Sequence, residues 1–114
     1  MTLNLTNEEN LKNLDVIRQL LQVSPGSVVL LRGHVDNAKV EEFRKTGGEA
    51  YVRTMALRAI ELSRNRAAEI KRLLLERHHV EPTRLDIVGR GWEEPQGNDS
   101  ERNRRVEVQW FMLE

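Results

Sequence analysis

Val52, Ala56, Ile60, Ser63, Ala67, Ile70 and Leu74 recur at steps of three or four. That period puts them on one stripe and predicts a helix from about Ala50 to Arg77, longer than most globular helices. With the stripe buried, such a helix has to lie across a sheet. Two segments qualify as its inner strands. Val28-Val29-Leu30-Leu31 is β-branched and apolar on both faces, as in a central strand covered on both sides, and it ends in Arg32-Gly33-His34-Val35-Asp36. Arg105 to Phe111 alternates and closes the sheet.

The remaining elements follow from local signals. Thr6 and Glu9 form a Thr-x-x-Glu pattern in which hydroxyl and carboxylate satisfy free backbone donors at a helix N-terminus. Leu11, Leu14, Ile17, Leu20 and Leu21 continue that helix until Ser24-Pro25-Gly26, where proline and glycine stop it. Residues 37–48 are polar and end in Gly47-Gly48, so a short helical turn over Val40 to Arg44 is expected inside a long connection. Arg84 to Gly89 alternates as a strand, Gly91 to Ser100 is a turn-rich loop, and Leu3 and Leu5 suggest an edge strand. The order (β)αβαββ predicts an α/β (α+β) two-layer sandwich, with two helices on one face of a mixed sheet of three or four strands.

Composition narrows the function. The 114 residues suit one compact domain able to bury its own core, and the absence of cysteine removes thiol chemistry. Basic and acidic residues balance at 18 each, seven of each in residues 1–57 and eleven of each in 58–114. A nucleic-acid partner is not expected without a basic footprint. Fourteen of the basic residues are arginine, the side chain that grips a carboxylate with two parallel hydrogen bonds. No apolar run has the length of a membrane span, and Met1-Thr2-Leu3-Asn4 lacks the order of a signal peptide.

Catalytic and metal chemistries find little support. His34 and Asp36 point to the same side of a strand, but His78 and His79 lie at a distant helix end, and a metal needs three or four convergent ligands. Glu93 and Glu94 are neighbours in extended chain and point apart, unlike a glycosidase pair. Gly89-Arg90-Gly91 lacks the third glycine of a dinucleotide loop, and no nucleophile has an evident base. The expectation is a non-enzyme without metal or cofactor. Two charged residues stand out by position: Asp36 where the apolar strand ends, and Arg66 on the border of the buried helical stripe, three after Ser63. A guanidinium there is either a structural ion pair, the commoner case, or a clamp for a ligand carboxylate.

Four segments resemble, in order, the signatures of the OmpA-like peptidoglycan-binding domain: Gly33-His34-Val35-Asp36, Leu62-Ser63-Arg64-Asn65-Arg66-Ala67, Gly89-Arg90-Gly91-Trp92-Glu93-Glu94-Pro95 and Asn103-Arg104-Arg105-Val106-Glu107. The resemblance covers about residues 10 to 110. It implies a non-catalytic periplasmic module that anchors a membrane-associated or exported protein to the cell wall by binding the peptide stem of peptidoglycan, meso-diaminopimelate above all. It further implies that Asp36 receives the ligand's ammonium and Arg66 its carboxylate. His34, Val35 and Ser63 belong to the same motifs, Leu62 packs beside the aliphatic stem, and of Arg104 and Arg105 one faces the site while the other is structural.

Several positions depart from the pattern. Val35 stands for the family's threonine, Ala59 for an asparagine, and Asp99-Ser100 for a Gly-Arg pair in a shortened loop. Residues 37–58 look like an insertion that lengthens the helix and adds a lid-like loop within a single domain spanning 1–114, itself expected to be a fragment of a longer chain. The alternative function is an OmpA-like module used for protein-protein interaction or homodimerisation through an apolar face on residues 40–58 that includes Phe43, Tyr51, Val52 and Met55.

Overall fold

The computed structural model describes residues 2–5, 10–95, 97 and 103–112. The Thr6/Glu9 pattern and Asp99-Ser100 lie outside them. The chain runs β1 (Thr2–Leu5), α1 (Asn10–Val23), β2 (Ser27–Gly33), α2 (Val40–His78), a 3-10 turn (Pro82–Arg84), β3 (Leu85–Gly89) and β4 (Val106–Met112). The sheet order is β1-β4-β2-β3, with β2 parallel to β3 and antiparallel to β4, and β1 antiparallel to β4. This is the expected mixed sheet with two helices packed on it, and Leu3 and Leu5 do lie in an edge strand.

One face of the sheet carries the core. Alternation along β2 buries Val29 and Leu31, and along β4 Val106 and Val108. Leu14, Ile17 and Leu21 of α1 and Ala67 and Leu74 of α2 cover them, together with Leu85. Helix α1 ends where predicted, and its end is tied to β2 by Arg84, whose guanidinium donates to the carbonyls of Leu21, Ser24 and Ser27. The Ser24 carbonyl also accepts the Ser27 N–H and hydroxyl, so Arg84 and Ser27 together hold the chain reversal.

Helix α2 corrects the expectation for residues 37–58. They are helical from Val40 onward, and the interruption is a single residue, Gly48, at φ 71° and ψ −166°. That conformation is essentially restricted to glycine. The expected lid-like loop is therefore a short helix, 40–47, set at an angle to a long one, 49–78. The predicted stripe is buried at Ser63, Ala67 and Leu74, whereas Val52 and Ala56 are only partly covered and the first buried residue of the helix is Ala59. The part before Ala59 runs beyond the sheet.

Helix and sheet touch most closely at Gly33. A Cβ there would lie 1.8 Å from the Ser63 carbonyl oxygen. The same contact sets the height of Ser63 over the ends of β2 and β3.

Candidate functional site

Ser63 organises the loop that follows β3. Its hydroxyl donates to the Ile60 carbonyl at 2.8 Å and accepts the Gly91 N–H at 2.9 Å. The Gly91 carbonyl accepts the Val35 N–H at 2.9 Å, and Arg90 N–H reaches the Gly33 carbonyl. The ends of β2 and β3 are thereby stitched together beneath α2, and the loop after β3 brings Trp92 to the same opening as Val35 and Asp36. On the other side of β2, the His34 N–H donates to the Arg105 carbonyl at 2.8 Å. This continues the β2–β4 ladder, in which Gly33 pairs with Val106.

The result is an open cleft of about 390 Å³ at the carboxyl end of β2. Val35, Ala59 and Leu62 line it with Trp92, and Phe43 and Met55 come from the segment expected to be an insertion. The charged lining residues are Asp36, Arg66 and Arg104, together with Lys39 and Arg58. Phe43 is held by rings on both sides, edge-on to Tyr51 with centroids 5.7 Å apart and tilted against Trp92 at 6.2 Å.

Asp36 and Arg66 are brought to this one cleft, as the sequence reading expected. Arg66 Nη1 donates to the His34 carbonyl at 3.2 Å. Burial, and secondarily the Arg104 charge, pull the Arg66 guanidinium below its ordinary pKa, while Asp36 opposes the shift. Asp36 accepts the Ala38 N–H on Oδ1 at 3.1 Å and faces Arg104 Nε from Oδ2 at 3.2 Å. Both carboxylate oxygens are thus oriented, yet a carboxylate has further lone-pair positions for a ligand ammonium.

The other expected site residues divide clearly. Val35, Leu62 and Arg104 line the cleft. The side chains of His34, Ser63 and Arg105 do not; they are 1%, 0% and 2% exposed. Just before β4 the two arginines part, Arg104 toward the cleft and Arg105 buried on the Glu107 side of the strand. Arg105 Nη2 donates to the Glu94 carbonyl and to Glu107 Oε1. The Glu94 carboxylate is gripped by Arg32 and Arg90, and the Arg90 hydrogen bond is foremost in holding its pKa below the usual value. Sequence reasoning missed Lys39 and Arg58. Arg58 was accessible, because it lies one helical turn before Leu62 and two before Arg66; Lys39 carries no periodic signal.

His34 Nε2 lies against Glu107 Oε1. Burial first, then the Arg105 charge, lower the imidazole pKa from its ordinary 6.5, and Glu107 opposes the shift. The unfolded chain therefore binds a proton that the folded protein resists. His34 contributes full stability above about pH 6.5, and this is lost as pH falls through its depressed folded value. Urea midpoints between about pH 5 and 7 should rise with pH in the wild type and be flatter in His34→Gln. Identical slopes would exclude His34 as their source.

The chain matches the OmpA family over residues 2–109. It belongs to that family. No curated protein matches it. Among solved structures, this OmpA-family chain superposes on the OmpA-like domain of FopA1 from Francisella tularensis subsp. tularensis SCHU S4 with a TM-score of 0.73 and 18% identity, covering 99% of this chain and 73% of that one. The periplasmic domain of Helicobacter pylori MotB gives 0.69 at 22% identity, covering 97% and 81%. The peptidoglycan-associated lipoprotein from Burkholderia pseudomallei gives 0.65 at 20% identity, covering 92% and 80%. The chain spans 64% of a longer periplasmic MotB chain from Helicobacter pylori. At these identities the likeness establishes the shared fold.

Proposed function

We propose that the chain binds the peptide stems of peptidoglycan without covalent chemistry, and so holds an envelope protein to the cell wall from the periplasmic side. Asp36 receives the ammonium of a diaminopimelate side chain, Arg66 receives its carboxylate, and Leu62 packs on the methylenes between them. The observation that carries this reading is the meeting of Asp36 and Arg66 on one open cleft with apolar lining. A zwitterion needs one charge of each sign held close together, and two charge-assisted contacts fix its orientation as well as its affinity. Family membership and the fold shared with a peptidoglycan-associated lipoprotein and with periplasmic domains support it. Phe43 and Met55, candidates for an interaction face, line the cleft instead.

Co-sedimentation with purified diaminopimelate-type peptidoglycan tests the proposal. The wild type should pellet, and Arg66→Lys, which keeps the charge but loses the fork of donors, should bind about 1 to 3 kcal/mol more weakly. Asp36→Asn should also be impaired, and circular dichroism should show both variants folded. Equal sedimentation of all three proteins would place the site elsewhere; a wild type that stays in solution would remove the function.

A further inference from the structure

The cleft is charged far beyond what one zwitterion requires. Among the described residues, Lys39, Arg58, Arg66 and Arg104 line it against one acid, Asp36, and Asp36 already faces Arg104 at 3.2 Å. Among the described residues, no carboxylate lies within ion-pair distance of Lys39, Arg58 or Arg66. The chain treats many of its other arginines differently: Arg18, Arg32, Arg44, Arg72, Arg90 and Arg105 each meet an aspartate or glutamate. In a protein of zero formal net charge, Lys39, Arg58 and Arg66 thus line the cleft without a counter-charge among the described residues.

Their spacing is set by the helix. Arg58, Leu62 and Arg66 follow one another at four-residue steps on one face of α2, so the two arginines are separated by about 12 Å of helix rise. Leu62 lies between them, with Val35 and Ala59 also lining the cleft. Val35 and Ala59 carry no polar side-chain atom, so the charged residues bear the side-chain discrimination. Arg66 is fixed beside β2 by the His34 carbonyl, whereas Arg58 lies toward the end of α2 that bends at Gly48.

We propose that the cleft recognises a ligand with two separated anionic groups, one at Arg66 within the zwitterion and a second at Arg58 and Lys39. This rests on the peptide-stem reading of the same site. About 12 Å matches the extended path from the side-chain carboxylate of diaminopimelate, along its methylenes and through the γ-linked peptide bond, to the α-carboxylate of the glutamate before it, a scale beyond that of a free amino acid. The second anion is then a free carboxylate on the residue preceding diaminopimelate. A stem amidated at that carboxylate keeps its zwitterion but loses its partner at Arg58.

Calorimetric titration of the full chain compares the tripeptide L-Ala-γ-D-Glu-diaminopimelate with the same peptide amidated at the glutamate α-carboxylate. The free acid should bind about tenfold more tightly than the amide. Arg58→Gln and Lys39→Gln should each reduce that ratio by weakening the free acid while leaving the amide nearly unchanged, an effect that general damage to the cleft would not produce. Equal affinity of the wild type for the two peptides overturns the second subsite and leaves the Asp36–Arg66 reading standing. A preserved ratio in both variants overturns the assignment of Arg58 and Lys39. Failure to bind either peptide overturns the peptide-stem reading and this inference with it.

Discussion

Gly33→Ala is expected to destabilise the protein by about 3 kcal/mol or more, and Gly33→Val to prevent folding. The new Cβ would sit 1.8 Å from the Ser63 carbonyl oxygen, and backbone on both sides leaves no flexible side chain to give way. Relief requires lifting α2 off β2, which also pulls the Ser63 hydroxyl from Gly91 and disturbs the cleft edge. Thermal denaturation followed by circular dichroism should show the alanine variant melting more than about 10 °C below the wild type. A variant melting within a few degrees would mean that the helix-to-sheet spacing is wrong.

The second large effect lies in the interior beside the cleft. Arg105, 2% exposed, is the guanidinium against Glu107 and the Glu94 carbonyl. Arg105→Ala should cost about 3 to 5 kcal/mol, because it leaves the Glu107 charge without its arginine partner in a site largely closed to water. Replacing both partners with apolar residues of similar size, Arg105→Met with Glu107→Leu, should recover most of the loss. Urea midpoints of the two variants separate the causes. A double variant as unstable as the single one would show that the bond from Arg105 to the Glu94 carbonyl, together with the Glu107 carboxylate beside His34, outweighs the ion pair.

The fold was legible where the signal is local. The stripe from Ile60 to Leu74, the stop at Pro25-Gly26 and the apolar run Val28 to Leu31 each express a period or a turn preference within a few residues. Residues 40–47 were harder, because their helix is short, polar and anchored by Phe43 against Trp92, a contact across distant sequence. The site divides in the same way. Asp36 and Arg66 are visible as charges at the end of a strand and on the edge of a stripe. The ion pair of Asp36 with Arg104 is not, since it depends on the β2–β4 register that pairs Gly33 with Val106. His34 looks like a rim residue beside Asp36, yet its ring is buried against Glu107, whose cross-strand partner is Arg32.

The sheet order β1-β4-β2-β3 also bears on the route by which the chain folds. Strands β3 and β4 are consecutive but separated in the sheet by β2, and β1 and β2 are separated by β4. The one consecutive pair, β2 and β3, is parallel and joined through the whole of α2. Among the described strands no hairpin nucleates the sheet: Thr2 must find Gln109, and Val29 must find both Leu85 and Trp110. Such pairings carry a high loop-closure cost and place mixed topologies among the slower two-state folders. The helices are the elements able to form from local contacts alone, so the long α2, which joins β2 to β3, is expected to form before those strands pair.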